Sequence, residues 1–272
     1  DNALLPNWKH LPVGYHGRAS SIVISGTEFH RPKGQMKPVA DENPIFGACK
    51  QLDFELEMAF IVNKNTEMGD RITTAEAEEA IFGMVLFNDW SARDIQSWEY
   101  VPLGPFLGKN FCSTISPWIV TLEALKPFRT DSPKQEPEVL DYLKFQGQQN
   151  FDIKLQVYIQ PENGQENLIS ESNYKFMYWN MLQQLAHHTV NGCNVEVGDL
   201  YASGTISGRE KSSFGSMLEL TWRGTQPLHL SDGTERKFIN DHDTVIMRGH
   251  AEKEGMRVGF GEVRGKVLAA KE

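Results

Sequence analysis

Positive charge, cysteine and long apolar runs are all scarce in this 272-residue sequence. The net charge of −9 argues against a nucleic-acid partner and against an anionic membrane surface. The three cysteines are an odd number without metal-type spacing, so we expect free thiols in a reducing, cytoplasmic compartment. No apolar run approaches the length of a membrane span, and we therefore expect no membrane segment.

Two common catalytic or nucleotide-binding motifs are absent as well. No Gly-x-Ser-x-Gly elbow supports a serine nucleophile. The loop from Gly104 to Lys109 partly matches a phosphate-binding loop. However, its glycine spacing is one residue short, and Asn110 stands where Ser or Thr is required. We therefore exclude nucleotide binding at this loop.

Short strand-like runs dominate the sequence, with turn-forming Gly and Pro between them. The predicted strands are Ser21–Ser25, Phe54–Val62, Gly83–Phe87, Trp118–Thr121, Asp152–Ile159, Met217–Trp222, Asp243–Arg248 and Arg257–Glu262. Helices are predicted from near Ser91, over Asn173–His188, and over Ala75–Ala80 with Thr73 or Thr74 as N-cap. This pattern predicts one β-dominated α+β domain over residues 1–272, rolled or sandwiched, with few helices.

Glu55 and Glu57 are the most informative residues. Apolar residues alternate from Phe54 to Val62, so both glutamates share the opposite face of the strand. Their Cβ atoms are expected about 6–7 Å apart. Two carboxylates at that spacing favour a hard divalent cation, Mg²⁺ or Ca²⁺, between them. A half-solvated sheet with two exposed acids is the alternative.

A third carboxylate and a polar stripe follow the next apolar strand. Asp89 ends that strand and either caps the following helix or serves the site, with Ser91 as the alternative cap. Arg93, Gln96 and Tyr100 continue from Asp89 at spacings of one helical turn. Such a stripe suits a small polyoxygenated substrate, and it equally suits a solvated helix face.

Three further features are candidates for the site. The stiff loop after Tyr100 should hold Lys109 at a fixed place. The segment Ala202–Gly208 is rich in hydroxyl and backbone N–H groups that could bind an anion or a carboxylate. Glu219 lies in an apolar run, where an acid is either at a solvated edge or catalytic.

Taken together, these motifs resemble the fumarylacetoacetate hydrolase family, the fumarylacetoacetases, over essentially the whole chain. The matching stretches are Pro12–Arg18, Leu52–Phe60, Phe87–Lys109, Tyr178–Gly192, Ala202–Gly208, Phe214–Leu220 and Val258–Gly261. The resemblance implies a mixed β-sandwich or β-roll of the fumarylacetoacetase C-terminal type. It also implies a homodimer, and the hydrolytic cleavage of a 1,3-diketo acid to fumarate and acetoacetate in tyrosine and phenylalanine breakdown.

The resemblance also implies roles for individual residues. Implied metal-site residues are Glu55, Glu57, Asp89, Lys109 and Ser113, the last standing where the family has Thr. Implied substrate-binding residues are Tyr15, Gln96, Tyr100 and Thr205. Implied catalytic residues are Arg93, Lys109 and Glu219. A cation held by the acids would act as a Lewis acid on the diketone oxygens.

One departure from the family pattern concerns the residues before Asp1. The family's catalytic His, a further Asp ligand and a substrate-binding Tyr precede the matching segment, as does a small N-terminal domain. We expect this chain to be the catalytic portion of a longer protein. The alternatives are an impaired short form, a non-catalytic module that binds a dicarboxylate or a partner subunit, a dimerising paralogue, and a related metal-dependent keto-acid decarboxylase, hydratase or isomerase.

Overall fold

The computed structural model describes residues 4–38 and 43–272. The first ten strands are β1 (Ile22–Ile24), β2 (Glu28–His30), β3 (Lys33–Met36), β4 (Ile45–Ala48), β5 (Leu52–Asp53), β6 (Leu56–Val62), β7 (Ile81–Asp89), β8 (Ser91–Ala92), β9 (Ser113–Ile115) and β10 (Val120–Thr121). The others are β11 (Arg129–Thr130), β12 (Asn150–Phe151), β13 (Ile153–Gln160), β14 (Asn167–Asn173), β15 (Leu200–Ala202), β16 (Leu228–His229), β17 (Glu235–Arg236), β18 (Thr244–Lys253) and β19 (Met256–Leu268).

Helices are short in the described residues. The α-helices are α1 (Arg93–Glu99), α2 (Leu122–Leu125), α3 (Met181–Thr189) and α4 (Met217–Leu220). Single 3₁₀ turns cover Ala19–Ser21, Lys126–Phe128, Asp141–Leu143, Tyr174–Phe176 and Lys211–Ser213. The predicted class, β-dominated with few helices, is confirmed.

Two large sheets form the body of the fold. The first has the order β1-β9-β7-β6-β15, with β10 also paired to β7, and the second has the order β14-β13-β18-β19-β2. The two sheets pack face to face. Gly249 of β18 lies so close to β7 that a Cβ at this position would be only 2.9 Å from the side chain of Leu86. Trp90, fully buried after β7, lies against Gly265 of β19 and donates from Nε1 to Thr114. The end of β7 is therefore anchored in the core between the sheets.

The strand that carries the two glutamates buries its apolar face as predicted. Phe54 and the alternate residues as far as Val62 are at most 1% exposed. The regular strand β6 begins only at Leu56, and Glu55 forms an isolated bridge to Ser216. The acids themselves are not solvated: Glu57 is 2% exposed and the Glu55 side chain 12%.

The strand predicted over Met217–Trp222 is wrong, because this segment forms the helix α4. Ser216 caps the helix by accepting a bond from the backbone of Glu219, and the Asp53 carboxylate accepts the N–H groups of its first two residues. The helix ends at once, since Trp222 and Arg223 have φ of +48° and +57°. Local hydrogen bonding to the helix start thus overrides the apolar pattern.

Other helix predictions need correction. The segment predicted as a helix over Asn173–His188 starts with the end of β14, and α3 begins at Met181, where Asn180 and Gln183 form a reciprocal capping box. Residues Ala75–Ala80 form successive turns rather than a helix. The helix predicted from near Ser91 begins at Arg93. The Ser91 hydroxyl donates to the Asp89 carbonyl and does not cap this helix.

Several predicted strands are confirmed with different bounds. The run Trp118–Thr121 keeps only the two residues of β10. The run Asp152–Ile159 corresponds to β13. The last two runs extend into the long hairpin of β18 and β19.

None of the helices in the described residues is both long and apolar enough to cross a membrane. Cys49, Cys112 and Cys193 are all free thiols, as predicted.

Candidate metal centre and its ion-pair network

Two neighbouring strands bring the three predicted acids together. In the antiparallel pair of β6 and β7, Leu56 lies opposite Asn88, so Glu55 and Asp89 meet at the end of the pair. The Asp89 amide donates to the Glu55 carbonyl over 3.3 Å. One carboxylate oxygen from each of Glu55, Glu57 and Asp89 lies within 4.8 Å of the other two. The site is therefore built on sheet backbone rather than on loops.

The environments of the two glutamates differ sharply. Burial acts to raise the pKa of Glu55, but the Lys109 ammonium and the Arg93 guanidinium outweigh it and lower this pKa to about 2. Burial raises the pKa of Glu57 well above its usual value, and the charges of Asp89 and Glu55 raise it further. Within the described part of the chain, the Glu57 carboxylate accepts a single hydrogen bond, from the backbone N–H of Gly204 over 3.0 Å. Glu57 is therefore the acid that a cation would stabilise most.

Lys109 lies between two of the acids. Its Nζ donates to Glu55 Oε2 over 2.6 Å and to Asp89 Oδ2 over 2.9 Å, and its side chain is 4% exposed. Burial lowers the pKa of Lys109, yet the attraction of these two carboxylates raises it overall, so the amine is protonated. A protonated ammonium has no lone pair to offer a metal. In this state Lys109 neutralises the acids, and its place in a second cation site stays a prediction.

Tyr15 closes the site from the N-terminal segment. Its hydroxyl donates to Asp89 Oδ2 over 2.6 Å, and the Lys109 Nζ lies 5.9 Å from the centre of its ring. Burial and the charge of Asp89 raise the pKa of Tyr15, so the phenol keeps its proton. Tyr15 was predicted to contact substrate, and it contacts the acid cluster directly.

The acid cluster fits a hard divalent cation. Asp89 Oδ1 is buried and has no hydrogen-bond partner among the residues that the structure describes. Oxygens held about 2.0–2.6 Å from one ion lie at most about 5 Å apart, which matches the observed spacing. The donors are all carboxylate oxygens, the ligands that Mg²⁺ and Ca²⁺ prefer. A possible acidic metal site is therefore present.

Arg93 extends the cluster through a residue that sequence reasoning missed. Its Nη1 donates to Glu55 Oε1 over 2.7 Å, and its Nε donates to Asp53 Oδ2 over 2.9 Å. Gln96 Oε1 lies 3.4 Å from the same Nη1. The Arg93 side chain is 11% exposed, so the alternative of a solvated helix face is wrong at this position. Asp53 precedes Glu55 at the same two-residue spacing that separates Glu55 from Glu57, but the predicted alternation begins only at Phe54.

The loop after β15 lines the other side of Glu57. The amides of Ser203 and Ile206 donate to the β6 carbonyls of Met58 and Leu56, which holds the loop alongside the strand. Thr205 lies within this loop, directly after the glycine whose N–H binds Glu57. The predicted anion-binding loop thus binds a carboxylate of the protein itself.

Glu219 occupies the first turn of α4. Its Oε2 accepts hydrogen bonds from the hydroxyls of Ser207, over 2.9 Å, and Ser216, over 2.8 Å. Because Glu55 bridges to Ser216, α4 begins beside the acid cluster.

Two predicted residues lie at the edge of the site. Ser113 on β9 is directly opposite Asp89 on β7. Tyr100 follows the last residue of α1 and is 51% exposed. Their contacts with a metal or a substrate stay predictions.

The chain is similar to several known proteins. The curated fumarylacetoacetases of Bos taurus and Homo sapiens are each 59% identical over 271 residues, 99% of this chain. The chain spans 65% of the length of these relatives. A solved fumarylacetoacetate hydrolase from the psychrophilic Exiguobacterium antarcticum aligns with a TM-score of 0.54 at 22% identity, over 92% of this chain and 64% of that one. The solved structure supports the fold alone.

The family model described as "Fumarylacetoacetate (FAA) hydrolase C-terminal" matches residues 3–268. This match covers nearly the whole chain and includes every element that builds the acid cluster. The chain therefore belongs to the fumarylacetoacetate hydrolase C-terminal family.

Proposed function

We propose that the protein containing this chain hydrolyses 4-fumarylacetoacetate to fumarate and acetoacetate with a bound Mg²⁺ or Ca²⁺. The observation that carries the proposal is the convergence of Glu55, Glu57 and Asp89 with two buried cationic side chains. The identity of 59% to curated fumarylacetoacetases supports the choice of substrate. Such cleavage places the hydroxyl of water on the fumaryl carbonyl carbon and a proton on the acetoacetate carbon.

The bound cation would supply a Lewis acid that spreads the negative charge of the diketone oxygens as the carbon–carbon bond breaks. Lys109 and Arg93 donate hydrogen bonds toward the same cluster and would stabilise the developing oxyanions. A single preorganised donor of this kind is commonly worth about 3 kcal/mol. Gln96, Tyr15, Tyr100 and Thr205 would orient the substrate.

Proton transfer needs a base as well. On the family resemblance, we assign the role of this base to a histidine that would precede the present segment in the full-length protein. Glu219, fixed by Ser207 and Ser216, would orient that histidine. Ser113, opposite Asp89, would contribute its hydroxyl to a second cation position.

The test compares the full-length protein with its Glu57→Ala variant. We expect the wild type to bind Mg²⁺ or Ca²⁺ in calorimetry and to cleave fumarylacetoacetate, and the variant to lose both. Glu79→Ala, at an exposed position, is the matched control and should retain both. Undiminished cation affinity in Glu57→Ala would contradict the metal assignment. Turnover of oxaloacetate in place of fumarylacetoacetate would favour the decarboxylase alternative.

We also propose that the protein is a cytoplasmic homodimer, as the family resemblance implies. Three free thiols suit a reducing compartment. Light scattering of the full-length protein would test the dimer, with a monomer mass at micromolar concentration as the contrary result.

A further inference from the structure

Asp53 is a fully buried carboxylate that lies one contact away from the acid cluster. It belongs to β5, which pairs antiparallel with β8 so that Asp53 lies opposite Ser91. That register places it across from β8, which lies between Asp89 and Arg93 in the sequence. A buried carboxylate is costly unless it is fully paired, so the contacts of Asp53 are held firmly.

The two oxygens of Asp53 serve two different elements. Oδ1 accepts the backbone N–H of Met217 over 2.6 Å, and Oδ2 accepts that of Leu218 over 3.0 Å. Oδ2 also accepts the Nε–H of Arg93 over 2.9 Å. One carboxylate thereby joins the start of α4 to the guanidinium of α1.

The guanidinium of Arg93 is consequently fixed along two edges. Its Nε bonds to Asp53 while its Nη1 bonds to Glu55 over 2.7 Å. A planar group held by two carboxylates at different edges cannot rotate about its long stem. With the Asp53 bond removed, only the end that bonds to Glu55 would remain fixed.

The same carboxylate fixes the backbone that carries Glu219. The N–H groups of Met217 and Leu218 have no partner within the helix, and Asp53 supplies one for each. Glu219 is the next residue in that turn. The spacing between Arg93 and Glu219 is therefore set through Asp53.

We propose that Asp53 is a positioning residue, which holds Arg93 and the Glu219-bearing turn in the geometry that the reaction requires. This inference rests on the proposed function. The hydrogen bonds of Asp53 to described residues go to Arg93, Met217 and Leu218, and none goes to the three acids of the cluster. Displacement of a catalytic group by about 1 Å can cost about 100-fold in rate.

The chain offers a closely matched control in Asp243. This carboxylate is 1% exposed, bonds to Arg236 through Nε over 2.7 Å and Nη2 over 2.9 Å, and accepts the backbone N–H of Asn240. It belongs to neither the acid cluster nor α4. Asp243→Asn therefore reports the structural cost of neutralising a buried, arginine-paired aspartate.

The experiment measures kcat and KM of the full-length wild type, Asp53→Asn, Asp243→Asn, Arg93→Lys and the Asp53→Asn/Arg93→Lys double variant. We expect Asp53→Asn to lower kcat about 30- to 100-fold with KM within about threefold, and Asp243→Asn to change neither beyond threefold. The double variant should lose less than the product of the two single losses, because both changes release the same guanidinium contact. A kcat for Asp53→Asn no lower than that of Asp243→Asn, or multiplicative losses in the double variant, would overturn the proposal.

Crystal structures of the same variants give a readout that needs no turnover. In Asp53→Asn the Arg93 guanidinium should turn away from residue 53 while Nη1 stays on Glu55, whereas in Asp243→Asn both its 2.9 Å and its 2.7 Å contacts should be kept. A wild type that does not cleave fumarylacetoacetate refutes the proposed function, and these structures then still decide the role of Asp53. If Asp53→Asn does not fold, the kcat of Arg93→Lys tests the inference instead. Lysine cannot bond to the Asp53 and Glu55 carboxylates in the same way as arginine. An unchanged kcat in Arg93→Lys would reject the inference.

Discussion

Lys109 and Asp89 form an ion pair of 2.9 Å although their side chains are only 4% and 5% exposed. Glu55 shares the same ammonium at 2.6 Å. Burial of a charge without its partner is strongly unfavourable, so this lysine stabilises the site while no cation is bound.

We expect Lys109→Met to lower the stability of the cation-free protein by about 3–5 kcal/mol, because Asp89 loses its ion-pair partner and Glu55 keeps only Arg93. Saturating Ca²⁺ should restore more stability to this variant than it adds to the wild type. Urea unfolding with EDTA and with Ca²⁺ measures both effects. Lys237→Met is the control, since that lysine is exposed and forms no ion pair among the described residues. An equal response to Ca²⁺ in wild type and Lys109→Met would contradict the expectation.

Glu57 predicts how pH acts on the site. A carboxyl whose pKa is higher in the folded than in the unfolded state stabilises the fold while it is protonated. Its contribution is fully present below the unfolded value of about 4.3 and is lost as the pH rises through the raised folded value. Cation affinity should rise over the same window, because binding releases the proton.

Glu57→Gln should remove this pH dependence and weaken cation binding at neutral pH. Unfolding midpoints in EDTA, together with calorimetric cation titrations at several pH values, measure the two effects. Glu79→Gln should behave as the wild type. Identical pH slopes for Glu57→Gln and the wild type would rule out Glu57 as the titrating group.

Gly108, which precedes Lys109, lies too close to Gln96 for a larger residue to fit without a shift. A Cβ at this position would lie 2.8 Å from Gln96 Cβ and 2.9 Å from its backbone N, so α1 or the lysine loop must move. We expect Gly108→Ala to cost about 1–3 kcal/mol and to weaken cation binding. Gly47→Ala, where a Cβ meets nothing within 4 Å, is the control for calorimetry and thermal unfolding. Gly108→Ala with normal affinity and stability would mean that the loop adapts freely.

Local patterns in the sequence were sufficient to predict the strand over Phe54–Val62 and its buried face. Period-two alternation placed Phe54 to Val62 in the core and set Glu55 and Glu57 on the other face. The convergence with Asp89 depended on the register of β6 and β7, which alternation alone does not determine. Family resemblance, rather than spacing, assigned those three residues together.

Long-range hydrogen bonds explain the main failures. Residues Leu218–Trp222 alternate between apolar and polar like a strand. The first two N–H groups of the helix that forms there bind the distant Asp53 carboxylate, in addition to the local cap by Ser216. Asp53 stands in phase with Glu55 and Glu57, but no local pattern indicates its partners, which are 40 and more than 160 residues away. By contrast, the start of α3 was legible in Asn180 and Gln183, which form a capping box.

The location of Asp89 on β7 has a consequence for how the protein opens. In the order of the first sheet, β7 lies between β6 and β9, and Trp90 anchors its end under β19. Backbone amides of such an interior strand exchange with solvent chiefly when the whole sheet separates. Deuterium uptake along residues 84–89 should therefore be among the slowest in the described residues.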